Sequence, residues 1–397
     1  MYPRISDLIN DLLGTHLRLP IQSFGFMVAL AFLAAFFFLE RELRRKEAEG
    51  IFSRRKITVK KGNPVQPADV ALAFLLWGVL GFKLGYMAED YDAFYANPQQ
   101  ALLSFEGSWP IGLLAALGGG GWRFWEYWRN RHIKESNVTV EYGIQDELGT
   151  LITIAFVAGL LGAKLFHNFE NWDQFMDNPV KALLSFDGLT FYGGLICAAV
   201  LIAWRLSRKG FPVLPFADAT APVLMLGYGI GRIGCQLAGD GDWGIVNTAP
   251  KPGWLSWAPD WVWAFDYPHN VLKEGIPIEG CTMDGGYCFR LPETVFPTPF
   301  YETLMALFLF AVLWALRKRL PYWGQLTGIY LVFNGLERFL IEKIRVNNPG
   351  RIFGIEATQA EVISFLLIVL GIALFALATF RWKKQAAAPA SVSSPAS

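Results

Sequence analysis

The chain has 397 residues, 53% apolar and 17% charged, with a formal net charge of +1. Soluble domains carry about 25% charged residues, so a water-soluble globular protein is excluded. The near-zero net charge offers no basic field for nucleic acid.

A bilayer core of roughly 30 Å takes about 20 apolar residues per helix. Apolar runs predict nine spans, at 21–40, 68–88, 107–122, 148–167, 188–206, 213–237, 299–316, 325–342 and 359–380. The fold class expected is therefore all-α, a polytopic transmembrane helical bundle forming one domain over 1–384. A disordered tail, AAAPASVSSPAS, closes the chain within 385–397. The third segment is short and Gly-rich and opens with Trp109-Pro110, so it is either a span or a re-entrant piece. No basic region followed by a small-residue cleavage site opens the chain, so the first span is expected to serve as an uncleaved insertion signal.

Basic residues orient the spans. RELRRKEAEGIFSRRK follows the first span; Arg123, Arg129, Arg131 and Lys134 follow the third; Arg205, Arg208 and Lys209 follow the fifth. Arg317, Lys318 and Arg319 follow the seventh, and Arg381, Lys383 and Lys384 the last. The intervening loops carry Glu89, Asp90 and Asp92, then Glu170 and Asp173, then the long 238–298 segment. Every second loop is thus basic and cytoplasmic, which puts the N-terminus outside and the C-terminus inside. The 238–298 loop is external, and Trp254, Trp257, Trp261 and Trp263 suit the headgroup layer as well as an ordinary packed loop.

The cysteines are Cys197, Cys235, Cys281 and Cys288. No CxxC pair occurs and no His sits at zinc-ligand spacing, so neither a metal nor a cofactor is expected. Cys281 and Cys288 share the external loop, where a disulfide can persist; the sequence leaves open whether they are bridged.

Residues 81–107 repeat without a gap as 162–188. Lys83 matches Lys164, Asp92 matches Asp173, Asn97-Pro98 matches Asn178-Pro179, and Ala101–Phe105 recurs as Ala182–Phe186. Each copy reads as a helix, an outer loop and a second helix, so 60–140 is an inserted helical hairpin beside seven other spans. The copies then part: the second runs Asp187-Gly188-Leu189-Thr190-Phe191-Tyr192-Gly193-Gly194, the first Glu106-Gly107-Ser108-Trp109-Pro110-Ile111-Gly112. The second copy is expected to carry chemistry and the first to be structural, regulatory or a gate for substrate.

Ionisable residues inside spans cost roughly 2.5–3.5 kcal/mol each at the bilayer centre and mark functional sites. Arg232 precedes the Gly239-Asp240-Gly241-Asp242 turn; Arg338 and Glu342 share a helix face at i, i+4, flanked by Glu337 and Arg345; Lys164 and His167 end the fourth span. Salt-bridge glue between helices is the bland reading of such a set. The sharper one is a phosphate cradle, because a guanidinium stays protonated and grips phosphate oxygens with a planar fork. Gly227, Gly229, Gly231 and Gly234 allow close approach to the backbone. Asp240 and its neighbour Asp242 could orient the arginines, act as bases or, more weakly, hold a divalent metal.

At these residues the sequence resembles the bacterial prolipoprotein diacylglyceryl transferase family. PIQSFGFMVALAFLAA, LGAKLFHNFENWDQFMDNP with DGLTFYGGLI, GYGIGRIGCQLAGDGDWG, and FPTPFYE with GLERFLIEKIR carry the resemblance, in the family's order. The resemblance implies transfer of the diacylglyceryl group of phosphatidylglycerol to the lipobox cysteine of a prolipoprotein signal peptide. A thioether forms, glycerol phosphate leaves, and the reaction occurs near the periplasmic leaflet of the inner membrane. It implies Arg232, Arg338, Tyr192 and Glu342 as catalytic residues. Substrate would be bound by Gly193, Gly194, Asp240, Gly231, Gly234, Lys164, His167, Tyr301, Glu302 and Arg345. The bilayer and the two substrates are the partners implied, and a monomer suffices. Departures are plain: Tyr192 replaces the family histidine, Cys235 its asparagine, Phe24 a tyrosine and Phe296 a histidine, and the turn is two residues longer. The alternatives are a non-catalytic phospholipid-binding paralogue or a transporter.

Overall fold

A computed structural model describes residues 1–61, 65–96, 98–133, 136–184, 190–283, 285–346, 350–352 and 355–387. Asn97, Lys134, Phe186 to Leu189 and the tail beyond 387 lie outside the described residues.

Helices occupy all nine expected segments. After a short amphipathic helix α1 (Ile5–Leu13) come α2 (Ser23–Ala48), strand β1 (Arg55–Lys61), and a hairpin of α3 (Pro67–Glu89), α4 (Tyr91–Ala96), α5 (Pro98–Leu103), α6 (Trp109–Ala115) and α7 (Gly121–Asn130). A π-helical turn at Ala116–Gly120 joins α6 to α7. Strand β2 (Ser136–Tyr142) leads into a second hairpin, α8 (Ile144–Glu170), α9 (Trp172–Asp177), α10 (Pro179–Leu184) and α11 (Phe191–Arg208). Helices α12 (Val213–Ala238), α13 (Thr298–Leu316), α14 (Gln325–Glu342) and α15 (Gln359–Ala387) complete the bundle. Among the described residues, six helices are long and apolar enough to cross a membrane: α2, α3, α8, α12, α13 and α15 over Gln359–Arg381.

The protein is mostly helical, and three short β ribbons accompany the helices among the described residues. Strands β1 and β2 pair antiparallel from Arg55 opposite Tyr142 to Lys61 opposite Ser136. Shorter pairs join Ile276–Pro277 to Phe289–Arg290 and Gly350–Ile352 to Ile355–Ala357. The longest pair alternates β-branched with polar residues (ITVKK against SNVTVEY), and such short ribbons are hidden beside 20-residue apolar runs.

The duplication survives in three dimensions. Each copy is a long helix, two six-residue helices and a returning helix. Each crossing is closed by glycines at matching positions. A Cβ on Gly81 would meet Ala115, and one on the matching Gly162 would meet Cys197 and the Gly193 carbonyl, both under 3 Å. In each, the glutamate ending the first long helix accepts a hydroxyl from the start of the returning one. Ser108 donates to Glu89, and Thr190 donates to Glu170 at 2.6 Å. The copies differ in company. Helix α8 packs on α11 and also meets α2, whereas α3, α6 and α7 pack chiefly on one another. The first hairpin is anchored at one end by the β1–β2 ribbon. At the other, the Arg4 guanidinium lies 3.8 Å from the Tyr95 ring centre and Arg18 pairs with Asp92 at 2.9 Å.

Close helix contacts hold the rest together. Gly328 and Gly335 of α14 press on the backbone of α15 at Gly371 and Ser364, the small-residue packing that lipid-embedded helices use. Asp218 of α12 accepts the backbone N–H groups of Gly324 and Thr327 at 2.7 and 2.9 Å and the Thr327 hydroxyl at 2.6 Å. It thereby caps α14 and fixes that helix beside α12. The 239–297 segment folds over the other end of these helices around Trp243, Tyr267, Leu291 and Val295. Within it Cys281 and Cys288 are disulfide-bonded.

Candidate active site

Helix α12 ends at Gly239, whose φ of +63° suits glycine and turns the chain back toward α13 and α14. Gly241, at φ +95°, repeats the requirement two residues on. Gly244 then donates to the Phe296 carbonyl at 2.9 Å and Ile245 to the Ile344 carbonyl at 2.9 Å. The turn is thereby stitched between the start of α13 and the end of α14. Three helix termini converge there.

Glu302, one turn into α13 and fully buried, is the centre of the site. Arg232 Nε pairs with its Oε2, Arg345 Nη1 lies 3.5 Å and Arg338 Nη1 4.0 Å from its Oε1. Asp242 bridges Arg232 and Arg345. Arg338 pairs with Glu342 at 2.9 Å, as their i, i+4 spacing demands. Three guanidiniums and three carboxylates thus form one buried network. Burial alone would raise the Asp242 carboxyl, but the guanidiniums of Arg232 and Arg345 outweigh it and hold it below its ordinary value. Asp240 goes the other way: burial and the neighbouring Asp242 charge push it up.

The network is unfinished. Arg338 Nη1, Arg345 Nη1 and both oxygens of Glu302 and of Glu342 are buried without a hydrogen bond of good geometry. A buried group left so costs about 1–3 kcal/mol, more when charged. Two of these atoms are guanidinium nitrogens, one on α14 and one just past its end, and both face Glu302 Oε1.

The sequence-predicted residues divide accordingly. Arg232, Arg338, Arg345, Glu302 and Glu342 come together. Asp240 does not reach the arginines by an ion pair among the described residues; its carboxylate accepts the Asp242 N–H at 3.4 Å, and Asp242 is the acid that bridges. Gly231 opens onto free space beside Arg232, whereas Gly234 is a crossing point where a Cβ would press on Phe24 and Met27 of α2. Gly193 and Gly194 pack α11 on α8, where a Cβ would clash with Phe166 and the Gly159 carbonyl. Tyr192, beside them, has its hydroxyl in electrostatic reach of Tyr330 on α14. Tyr330 is eight residues, or about 12 Å along the axis, from Arg338. Lys164 is buried on α8. His167 interacts with Asn171, whose amide donates to the His167 carbonyl at 3.0 Å and lies 3.3 Å from its Nδ1. Tyr301 donates to the Val262 carbonyl at 2.7 Å and so holds the long loop against α13.

Two groups sit beside the network: Tyr228, not singled out by sequence, whose ring lies 5.2 Å from the Arg232 guanidinium, and Glu337, seen in the sequence only as a flanking acid, whose Oε1 accepts the Tyr228 hydroxyl at 3.2 Å. They are 109 residues apart, and no local pattern links them. Cys235, Asp240 and Asp242 have candidate metal-ligand atoms within 4.8 Å of one another. Asp242 is already committed to two guanidiniums, whose charge opposes a cation at that point.

The fold and this network define a polytopic helical membrane protein with a buried guanidinium–carboxylate site where three helix ends meet. A profile of the family described as prolipoprotein diacylglyceryl transferase matches residues 112–377. The phosphatidylglycerol–prolipoprotein diacylglyceryl transferase of Mannheimia succiniciproducens is 32% identical over 233 residues, 57% of this chain and 72% of the relative. That of Dehalococcoides mccartyi is 28% identical over 280 residues, 69% and 89% of the two chains. The chain belongs to the prolipoprotein diacylglyceryl transferase family.

Proposed function

We propose that this protein transfers the diacylglyceryl group of phosphatidylglycerol to the lipobox cysteine thiol of a prolipoprotein. The thiolate sulfur forms a bond to the terminal glyceryl carbon. The C–O bond to phosphate breaks, and glycerol phosphate departs with the electron pair. Negative charge grows on the phosphate oxygens as that bond breaks, so cations aimed at them lower the barrier. The observation that carries this reading is the pair of unsatisfied guanidinium nitrogens on Arg338 and Arg345, beside Arg232 and around Glu302. Arg232 and Arg338 grip the phosphate; Glu302, Asp242 and Glu342 fix the planes of the guanidiniums. The open face of α12 at Gly227 and Gly231 leaves room for lipid beside that grip.

In this reading all nine helical segments cross the bilayer, with the N-terminus outside and the C-terminus inside, as the alternation of basic loops requires. The guanidinium site then lies near the outer leaflet of a bacterial inner membrane, under the 239–297 loop. The exposed Trp254 and Trp257 of that loop rest in the headgroup layer.

The test is direct. Purified protein is incubated with phosphatidylglycerol and a lipobox peptide, and glycerol phosphate release and peptide mass are measured. Release that requires the peptide cysteine supports the transferase. Lipid binding without release identifies a non-catalytic paralogue. Complementation of a transferase-depleted bacterium is the second arm.

A further inference from the structure

A thiol must lose its proton to react, and at a pKa of about 8.5 it is mostly protonated at neutral pH. The family's imidazole is absent here, since Tyr192 takes its place. The acids at the site differ sharply in their capacity to accept a proton. Glu302, Asp242 and Glu342 each lie against at least one guanidinium. A carboxylate so paired is a poor base, because protonating it breaks the pair. Asp240 spends an oxygen on the Asp242 N–H of its own turn. Glu337 differs. It is buried, no cation lies within 4.0 Å of it among the described residues, and the hydrogen bond it receives comes from a neutral hydroxyl, that of Tyr228.

Position adds to this. Tyr228 is one turn before Arg232 on α12 and on the same face, with its ring under that guanidinium. Glu337 is the residue before Arg338. The charged and titratable groups around Glu337 are Tyr228 and Arg232 from α12, Glu302 from α13 and Arg338 and Tyr330 from its own helix. On its other side α14 meets α15 through Gly335 and Ser364. A relay through these groups requires that a phosphate held by Arg232 and Arg338 present the glyceryl carbon, and hence the attacking thiol, to the Tyr228 hydroxyl.

We propose that Tyr228 and Glu337 form the proton relay of the transfer reaction: the thiol proton passes to the Tyr228 oxygen as the Tyr228 proton passes to the Glu337 carboxylate. The thiolate then attacks the glyceryl carbon, the C–O bond electrons leave on the phosphate, and the proton on Glu337 returns through Tyr228 to the departing glycerol phosphate. The relay ends the cycle as it began. This inference rests on the transferase reading, and the wild-type rate serves as the control that separates failure of one from failure of the other.

The experiment measures kcat and the KM for phosphatidylglycerol against pH, using full-length protein in phospholipid vesicles with a lipobox peptide. Wild type is compared with Glu337→Gln, Tyr228→Phe, the double variant, Glu337→Asp and Asp240→Asn. General-base catalysis contributes about 10²–10⁴-fold, so Glu337→Gln is expected to lose ~100-fold or more in kcat with little change in KM. The wild-type rise of kcat with pH should flatten in Glu337→Gln, and Glu337→Asp should recover part of the rate. Tyr228→Phe should lose a comparable factor, and the double variant no more than the worse single one, because the two act as a unit. Should Glu337→Gln fail to fold, Tyr228→Phe carries the same test. Near-wild-type kcat in Tyr228→Phe, multiplicative losses in the double variant, or a loss confined to KM overturns the relay. So does a large loss in Asp240→Asn with full rate in Glu337→Gln, which assigns the proton to the turn acid. A wild-type protein without turnover overturns the transferase reading instead.

Discussion

Two buried ion networks sit at opposite ends of this bundle, and they are built differently. At the end bearing the β1–β2 ribbon, Glu42 accepts Arg45 Nε at 3.0 Å and Arg317 Nε at 3.1 Å. There Glu147 accepts Arg205 through two parallel bonds at 3.1 and 3.0 Å, receives the Tyr142 hydroxyl, and lies 3.6 Å from Lys209. At the far end Glu302 is as deeply buried and has more arginines around it, yet six charged atoms of that network lack a hydrogen bond. Among the described residues, neither Glu42 nor Glu147 has a buried oxygen without a hydrogen bond. The second network holds guanidinium nitrogens without a hydrogen bond, the feature on which the proposed phosphate grip rests. A charged cluster in a membrane protein is thus better judged by what its atoms still lack than by how many charges it contains.

The strongest way to break this contrast is to remove a guanidinium at each end. Arg338→Ala and Arg232→Ala are each expected to cut turnover per folded molecule by about 10²–10³-fold or more, the usual effect of deleting one charge-stabilising donor, on top of the stability lost when a buried carboxylate loses its partner. Lysine at either position should rescue poorly, since a point charge does not reproduce the planar fork. Radiolabelled glycerol phosphate release reads the loss, and full activity in either alanine variant removes that arginine from the mechanism.

At the complete end the currency is stability. Glu42→Ala leaves Arg45 and Arg317 without their shared acid, and breaking such a buried pair costs about 3 kcal/mol. The cost is read by thermal unfolding in detergent, while the rate per folded molecule stays near wild type. A large rate loss with unchanged melting would erase the distinction between the two ends.

The turn acids sharpen it further. Asp242 is held below its ordinary value by two arginines, so its stabilisation is present above the unfolded value of about 3.9 and fades as pH falls through the folded value. Asp240 is raised by burial and by Asp242, so its ionisation is a cost at neutral pH that disappears as pH drops through its raised value. At pH 7, Asp242→Asn should therefore lower the melting temperature and Asp240→Asn raise it slightly, by ~0.5 kcal/mol in stability. Shifts of the same sign would show that the two carboxylates do not differ as described. The smallest effect is expected of Tyr192→Phe. Tyr192 lies in electrostatic reach of Tyr330, about 12 Å along α14 from Arg338, and one neutral hydrogen bond is worth about 1 kcal/mol. Peptide lipidation within about fivefold of wild type is the outcome expected.

Much of this molecule could be read before its structure. Each 20-residue apolar run became a helix, because length and hydropathy are local properties of the chain. Arg232, Arg338, Glu342, Arg345 and Glu302 were identifiable as charges out of place, or through motifs in a familiar order. The convergence on Glu302 was not legible. It depends on Gly239 and Gly241 returning the chain so that Asp242 meets Arg345, 103 residues away, and nothing in either segment encodes that meeting. Tyr228 escaped for the same reason, since it looks like a packed aromatic, and Glu337 was legible only as a flanking acid. The β1–β2 ribbon escaped because seven-residue polar strands leave a weak pattern next to transmembrane runs.

That ribbon has a consequence for how the chain is assembled. Its last rung joins Lys61 to Ser136, so everything from 62 to 135 is an excursion from the tip of a β-hairpin whose two arms end side by side. A two-residue link could bridge the arms and leave α2 connected to α8 as before. The first helical hairpin is therefore a cassette hung from a clasp, separable from the bundle without rerouting any other part of the chain.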